Sequence, residues 1–134
     1  MGGFRIDRGV AIIAVNNLFA KISEIAARFY SRPSMRLNVF GITGTNGKTS
    51  CSQFIAQSLA GLGHKCGIIG TLGYGVCGEL NESQLTTPDA VFTQKALAEM
   101  AVDRIDPVAM EVSSVGLHQK RVEACLLYTS PSPR

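Results

Sequence analysis

Short unbroken apolar runs alternate along this chain with stretches whose apolar positions recur every three or four residues. "VAIIAV" (10–15) is such a run and predicts a buried strand. Asn16 and Asn17 then offer a cap for a helix on which Leu18, Ile22, Ile25 and Phe29 share one face. Ser31, Pro33 and Ser34 end it, because the residue before a proline disfavours helical torsions. "LNVFGIT" (37–43) predicts the next strand, and a helix from about Lys48 to Leu62 follows it. Phe54, Ala56, Leu59 and Leu62 are its apolar positions and Gly63 is its stop. "CGIIGTLG" (66–73) predicts a strand entering a glycine-rich turn, and "YGVCGELNESQL" a hairpin or loop. "TTPDA" opens another helix, with Thr87 as cap, Pro88 at the first helical position and Asp89 in the first turn. That helix carries Ala90, Leu97 and Met100 and runs to about Ala101. "PVAMEVSS" (107–114) is a further apolar strand, closed by a carboxylate. Strands alternating with helices of this length imply crossover connections. The expected fold is α/β, a parallel sheet flanked by helices, without internal repeats.

A chain of 134 residues holds one ordinary core. Its 46% hydrophobic and 17% charged content is that of a globular protein and excludes a disordered one. The net charge of +3 is spread along the chain, so no clustered basic face for nucleic acid is expected. No apolar stretch approaches the roughly 20 residues of a membrane span, and "VAIIAV" is too short for a signal-peptide core. A cytoplasmic location without membrane insertion is the expectation, and no oligomer is expected. Cys51, Cys66, Cys77 and Cys125 form no C-x-x-C pair and have no histidine at zinc spacing, so they read as free, mostly half-buried thiols. His64 falls just past a helix end, where a histidine suits the C-terminal dipole, and His118 is within reach of a site but reads more readily as ordinary surface; neither is a metal candidate.

"GITGTNGKTS" (41–50) changes the picture. Three glycines, a lysine and four hydroxyls stand at the junction of a predicted strand and a predicted helix, where a chain commonly binds phosphate. The general phosphate-loop pattern G-x-x-x-x-G-K-[ST] is met at Gly47, Lys48 and Thr49 but fails at its first glycine, which is Ile42 here. Gly44 and Gly47 still allow successive backbone N–H groups to turn toward phosphate oxygens, and the helix N-terminus adds positive potential. Lys48 has the reach for the terminal phosphates, and the Thr49 hydroxyl suits a magnesium ion. Glu111 closes an apolar parallel strand and so falls at the carboxyl edge of the sheet, where ligands of such folds gather. No cation lies near it in sequence, which favours a metal-binding role over a buried structural one. Arg121 can fork two hydrogen bonds to a carboxylate or phosphate, although a solvated surface arginine reads almost as well.

"TGTNGKT" (43–49), with "GTLGYG", "TTPDA" and "MEVSSVGLHQKRV" following in order, resembles the Mur ligase superfamily from about Leu18 to Leu126. "TTP" and "EVSS" resemble the branch that adds the third amino acid, meso-diaminopimelate or L-lysine, to UDP-N-acetylmuramoyl-L-alanyl-D-glutamate. The resemblance implies ATP and Mg2+ as cofactors, with Gly44, Thr45, Asn46, Gly47, Lys48, Thr49 and Ser50 as the phosphate cradle. Thr49 and Glu111 would hold the metal, and Lys48 and Glu111 would be the catalytic residues. Thr86, Thr87, Ser113, Gln119 and Arg121 would bind the UDP-muramoyl dipeptide, the other partner being a diamino acid. The branch usually has histidine where this chain has Val115, which weakens a metal role at that position.

The implied chemistry has two steps. A substrate carboxylate attacks the γ-phosphorus of ATP to form an acyl phosphate, and an unprotonated amine then displaces phosphate. By the same resemblance residues 1–34 are the end of a uridine-binding domain and 35–126 the first part of the central ATP-binding domain. A later metal-bridging lysine and a third domain would be missing, so the chain reads as an inactive fragment. Residues 127–134, "LYTSPSPR" after Leu126, resemble a translated adapter and are expected to be a non-native tail. Competing readings are a sister ligase acting on folate or cyanophycin, a non-catalytic nucleotide-binding module, and a GTPase or kinase. A GTPase would want an N-K-x-D motif, which does not occur.

Overall fold

The computed structural model describes residues 3–128. Strands β1 (Phe4–Asp7) and β2 (Val10–Ile13) form an antiparallel hairpin, turned at Gly9 with φ +81°. Helix α1 (Leu18–Phe29) and a short 3-10 turn (Pro33–Arg36) lead into β3 (Val39–Ile42). Next come α2 (Lys48–Gly61), β4 (Gly67–Gly70), β5 (Gly73–Val76) and β6 (Glu79–Asn81). Helix α3 (Ala90–Val102), β7 (Val108–Glu111) and the short α4 (Ser114–His118) complete the elements.

The five-stranded sheet has the order β3-β7-β4-β5-β6. The expected parallel sheet is its first three strands, and β5 and β6 extend it antiparallel as a hairpin meander. The α/β expectation therefore holds with a mixed sheet, because the glycine-rich turn after β4 reverses the chain too soon for a crossover helix.

Alternation along the central strands sorts their side chains onto two faces. Val39, Ile69, Val108 and Met110 pack with Leu97 and Met100 of α3 in one core cluster. Ile68 and Ala109 pack with Ala56 of α2 in the other, and Glu111 follows Ala109 two residues on, on that same face. Helix α2 presents Ser52 and Ala56, small enough for a close approach to the sheet. The expected apolar positions Phe54 and Leu62 are exposed instead. Helix α1 likewise buries Ser23, Ala26 and Ala27, while Leu18, Ile25 and Phe29 of the expected apolar face are exposed. The buried hydroxyls explain part of this: Ser23 accepts from Ala124 N at 3.1 Å and Ser34 from Leu126 N at 3.0 Å, tying the chain's far end to this layer.

Two other expectations are corrected. β2 is a strand but is exposed along its whole length, since among the described residues it pairs only with β1. The cap of α3 is Asp89, whose Oδ1 accepts from Val91 N and Phe92 N at 2.9 and 3.0 Å, so Pro88 precedes the cap. Thr87 is unavailable for capping because its hydroxyl is engaged elsewhere. Asn17 does precede α1, in a left-handed conformation and without a side-chain cap bond. The four cysteines are free, with Cys51 exposed, Cys66 buried and the other two intermediate. Of the expected tail, Leu127 packs against the core and Tyr128 bridges to Phe40 on the outer edge of β3, while residues 129–134 lie outside the described residues.

Candidate active site

Three parallel strands end side by side. Ile42 of β3 is paired with Glu111 of β7, and β4 on the other flank of β7 ends at Gly70. The loops leaving these ends are 43–47, 71–72 and 112–113, so the carboxyl edge of the sheet gathers the residues that the sequence singled out.

On the β3 side, Gly44 (φ +145°) and Gly47 (φ +78°) take backbone conformations that other residues reach only with strain. Gly47 is the N-cap of α2 and supplies no side chain, which leaves the first helical N–H groups uncapped by any side chain. Lys48 Nζ donates to the Gly44 carbonyl at 2.8 Å, holding its charge over the loop. Thr43, Gly44, Thr45, Asn46, Gly47 and Ser50 are exposed around it.

Glu111 is 1% exposed and pairs with no cation among the described residues. Its Oε2 accepts from the Thr49 hydroxyl at 3.0 Å and the Thr71 hydroxyl at 3.1 Å, and its Oε1 accepts from Thr71 N at 3.1 Å. Ser52 Oγ stands 3.5 Å from Oε1 but lies nearer the Thr49 carbonyl, at 2.9 Å. A carboxylate can be buried this way only when several donors replace water. Its seat also demands glycine on β4, since a Cβ at residue 70 would lie 2.2 Å from Oε1.

The other predicted residues meet on the opposite flank. Thr87 is buried, its hydroxyl donating to the Glu111 carbonyl at 3.0 Å and accepting from Ser113 N at 2.9 Å. The Ser113 hydroxyl is 3.1 Å from that of Thr87 and accepts from Gly116 N at 3.0 Å, capping α4. Arg121 donates through Nη1 to the Thr87 carbonyl and through Nε to Gln119 Oε1, the latter at 3.0 Å. Thr86 is half-buried, with its hydroxyl 2.9 Å from that of Thr71. Val115 lies exposed on α4.

Hydrogen bonds thus connect Thr49, Glu111, Thr86, Thr87, Ser113, Gln119 and Arg121, while residues 44–47 form the loop that leads into α2. The structure adds Gly70, Thr71 and Ser52, which the sequence reading did not assign. The signal for Thr71 was its place: it directly follows an apolar strand at the same edge as the phosphate loop. Among the described residues no cluster of three or more His, Cys, Asp or Glu side chains could hold a metal ion. No helix among them is long and apolar enough to cross a membrane.

Comparison with known proteins bears on this geometry. Over 118 residues the chain is 54% identical to the UDP-N-acetylmuramoyl-L-alanyl-D-glutamate–2,6-diaminopimelate ligase of Coxiella burnetii, covering 88% of this chain and 24% of that protein. The ligase of the same name from Pseudomonas putida is 52% identical over 115 residues, covering 86% and 23%. A solved structure of a ligase of this name superposes with a TM-score of 0.74 at 31% identity, covering 84% of this chain and 23% of the other. The chain therefore spans about a quarter of the length of the curated relatives it matches. The Mur ligase middle domain pattern matches residues 42–130, from the last residue of β3 through the phosphate loop, both flanks of the site and beyond. With that match over most of its length, the chain belongs to the Mur ligase middle domain family.

Proposed function

We propose that this chain is the nucleotide-binding part of an ATP-dependent ligase that joins 2,6-diaminopimelate to UDP-N-acetylmuramoyl-L-alanyl-D-glutamate in peptidoglycan synthesis. Such a reaction draws on nucleotide substrates of the cytoplasm. One observation carries the reading: a phosphate loop and a second polar cluster, residues 86, 87, 113, 119 and 121, meet at Glu111, the first side able to hold ATP and the second a carboxylate acceptor. The names of the relatives, 50% identical or better in several cases, supply the substrate class.

The residues present fit a magnesium nucleotide. The start of α2 has amides uncapped by side chains, and the Thr49 hydroxyl points its proton at Glu111, leaving its lone pairs for a cation. Residues 44–50 would hold the phosphates, with Thr49 and Glu111 holding the ion. When bound, magnesium would neutralise charge on the phosphates and on the group in transfer. Lys48 and the loop amides would donate to phosphoryl oxygens as the D-glutamyl carboxylate of the acceptor attacks the γ-phosphorus, giving an acyl phosphate and ADP. Arg121, fixed by Gln119 and the Thr87 carbonyl, would orient the anionic acceptor. The amine then attacks the acyl carbon and phosphate departs.

The test uses the full-length enzyme. ADP release should require both the UDP-linked dipeptide and diaminopimelate, with one amide formed per ADP. ADP formation indifferent to the dipeptide would overturn the ligase reading, and turnover with L-lysine in place of diaminopimelate would reassign the amino acid.

A further inference from the structure

Thr71 occupies the junction of the two halves of the site. Its amide and hydroxyl reach both oxygens of Glu111, at 3.1 Å each, and its hydroxyl also lies 2.9 Å from that of Thr86. A hydroxyl carries a single proton, and a carboxylate only accepts. The Thr71 proton is therefore directed to Glu111 Oε2, and Thr71 Oγ1 accepts the proton of Thr86. A one-way chain results, from Thr86 through Thr71 to Glu111. Gly70 seats the carboxylate against the β4 backbone, and Thr71 grips both of its oxygens while Thr49 donates to Oε2 alone.

Resting on the ligase reading above, we propose that Thr71 is a positioning residue. It aims the Glu111 carboxylate at the cation site and couples that aim to the acceptor through Thr86. Thr49 would share its oxygen with the cation, whereas Thr71 holds both oxygens of Glu111 whether or not a cation is present. Occupation of Thr86 by the acceptor would reorient its hydroxyl and so alter what Thr71 accepts, linking acceptor binding to cation affinity. Thr71 is an exposed residue, so exchanging its hydroxyl for a methyl group disturbs little packing.

The experiment compares Thr71→Val and Thr71→Ser in the full-length enzyme, reading Mn2+ affinity by electron paramagnetic resonance with a non-hydrolysable ATP analogue, with and without the UDP-linked dipeptide. Thr71→Val should weaken Mn2+ binding about 10–100-fold, the range for residues that orient a metal ligand. It should also abolish the change in Mn2+ affinity on adding dipeptide, whatever the fall in melting temperature from the lost donor. Thr71→Ser, which keeps the hydroxyl, should restore both. Unchanged Mn2+ affinity in Thr71→Val, a lowered melting temperature as its sole effect, or failure of Thr71→Ser to rescue would each overturn the proposal. The Mn2+ titrations need no turnover, so a failed ligase reading would show separately, as a wild-type enzyme that binds the ion but forms no amide.

Discussion

Two four-residue strands of this protein begin Val-Ala, and they meet opposite fates. Strand β2, Val-Ala-Ile-Ile, is wholly apolar and exposed along its length, with Val10 at 63% and Ile13 at 64%. Strand β7, Val-Ala-Met-Glu, ends in a carboxylate and is buried throughout. Hydrophobicity would have ranked them the other way. What differs is the neighbours: β7 has a parallel strand on each side and a helix over each face, whereas β2 has β1 and nothing further among the described residues. The carboxylate is tolerated at the buried end because Thr49 and Thr71 stand ready to donate to it.

The sharpest probe of the buried edge is functional. Lys48→Ala in the full-length enzyme should lower kcat by about 100–1,000-fold, the range for losing one preorganised donor at a developing charge. Circular dichroism and melting temperature should stay at wild-type values, because Lys48 lies over the loop and outside the core. Turnover near the wild-type rate would remove the loop from catalysis.

Stability probes set the two strands directly against each other. Ile69→Ala, beside β7 in the core, should cost about 2–5 kcal/mol in urea unfolding of the full-length enzyme. Ile13→Ala should stay within about 0.5 kcal/mol, as surface substitutions do. Equal losses would break the contrast and show that the hairpin acquires a cover in the complete protein.

A smaller effect separates charge from shape at the end of β7. Glu111→Gln keeps the volume and removes the charge, so half-maximal activity should need about 10–100 times more Mg2+. An unaltered Mg2+ dependence would make Glu111 a structural residue.

The smallest effect concerns pH. Burial, with Cys77 beside it, pushes the Cys66 thiol from 9.0 up to about 11, and burial pushes that of Cys125 up to about 12 despite the Gln94 hydrogen bond. Both groups stay protonated in the fold at pH values where the unfolded chain ionises. Their contribution is complete below about pH 9 and fades as pH rises from there through 11 and 12. The urea midpoint should decline over that window, and replacing Cys125 by alanine should lessen the decline.

Much of this arrangement was legible in the residues. The strands at 39–42, 67–70 and 108–111, the helices at 48–61 and 90–102 and the phosphate loop follow from local patterns, because period and turn chemistry are written within a few residues. A candidate site was legible for the same reason: glycines, a lysine and a hydroxyl at a strand-to-helix junction suit phosphate, and a carboxylate closing an apolar strand lands at the carboxyl edge of the sheet. The buried face of α3 was legible through Ala90, Leu97 and Met100, but those of α1 and α2 were not. Phe54 and Leu62 of α2 and Leu18 and Phe29 of α1 lie outside, because the sheet and α3 accept only the small residues Ser52, Ala56, Ser23, Ala26 and Ala27 at close range.

By itself, the sequence determined the α/β class and a loop that suits phosphate, since each depends on neighbours within one turn or strand. Tertiary structure alone decided three things. It set β2 in the open and β7 in the core, turned the sheet antiparallel after β4, and placed Thr71 between Glu111 and Thr86, residues 40 and 15 positions away. These outcomes rest on which strands pair and how closely layers approach, quantities set by the whole chain's packing and by no single segment of it.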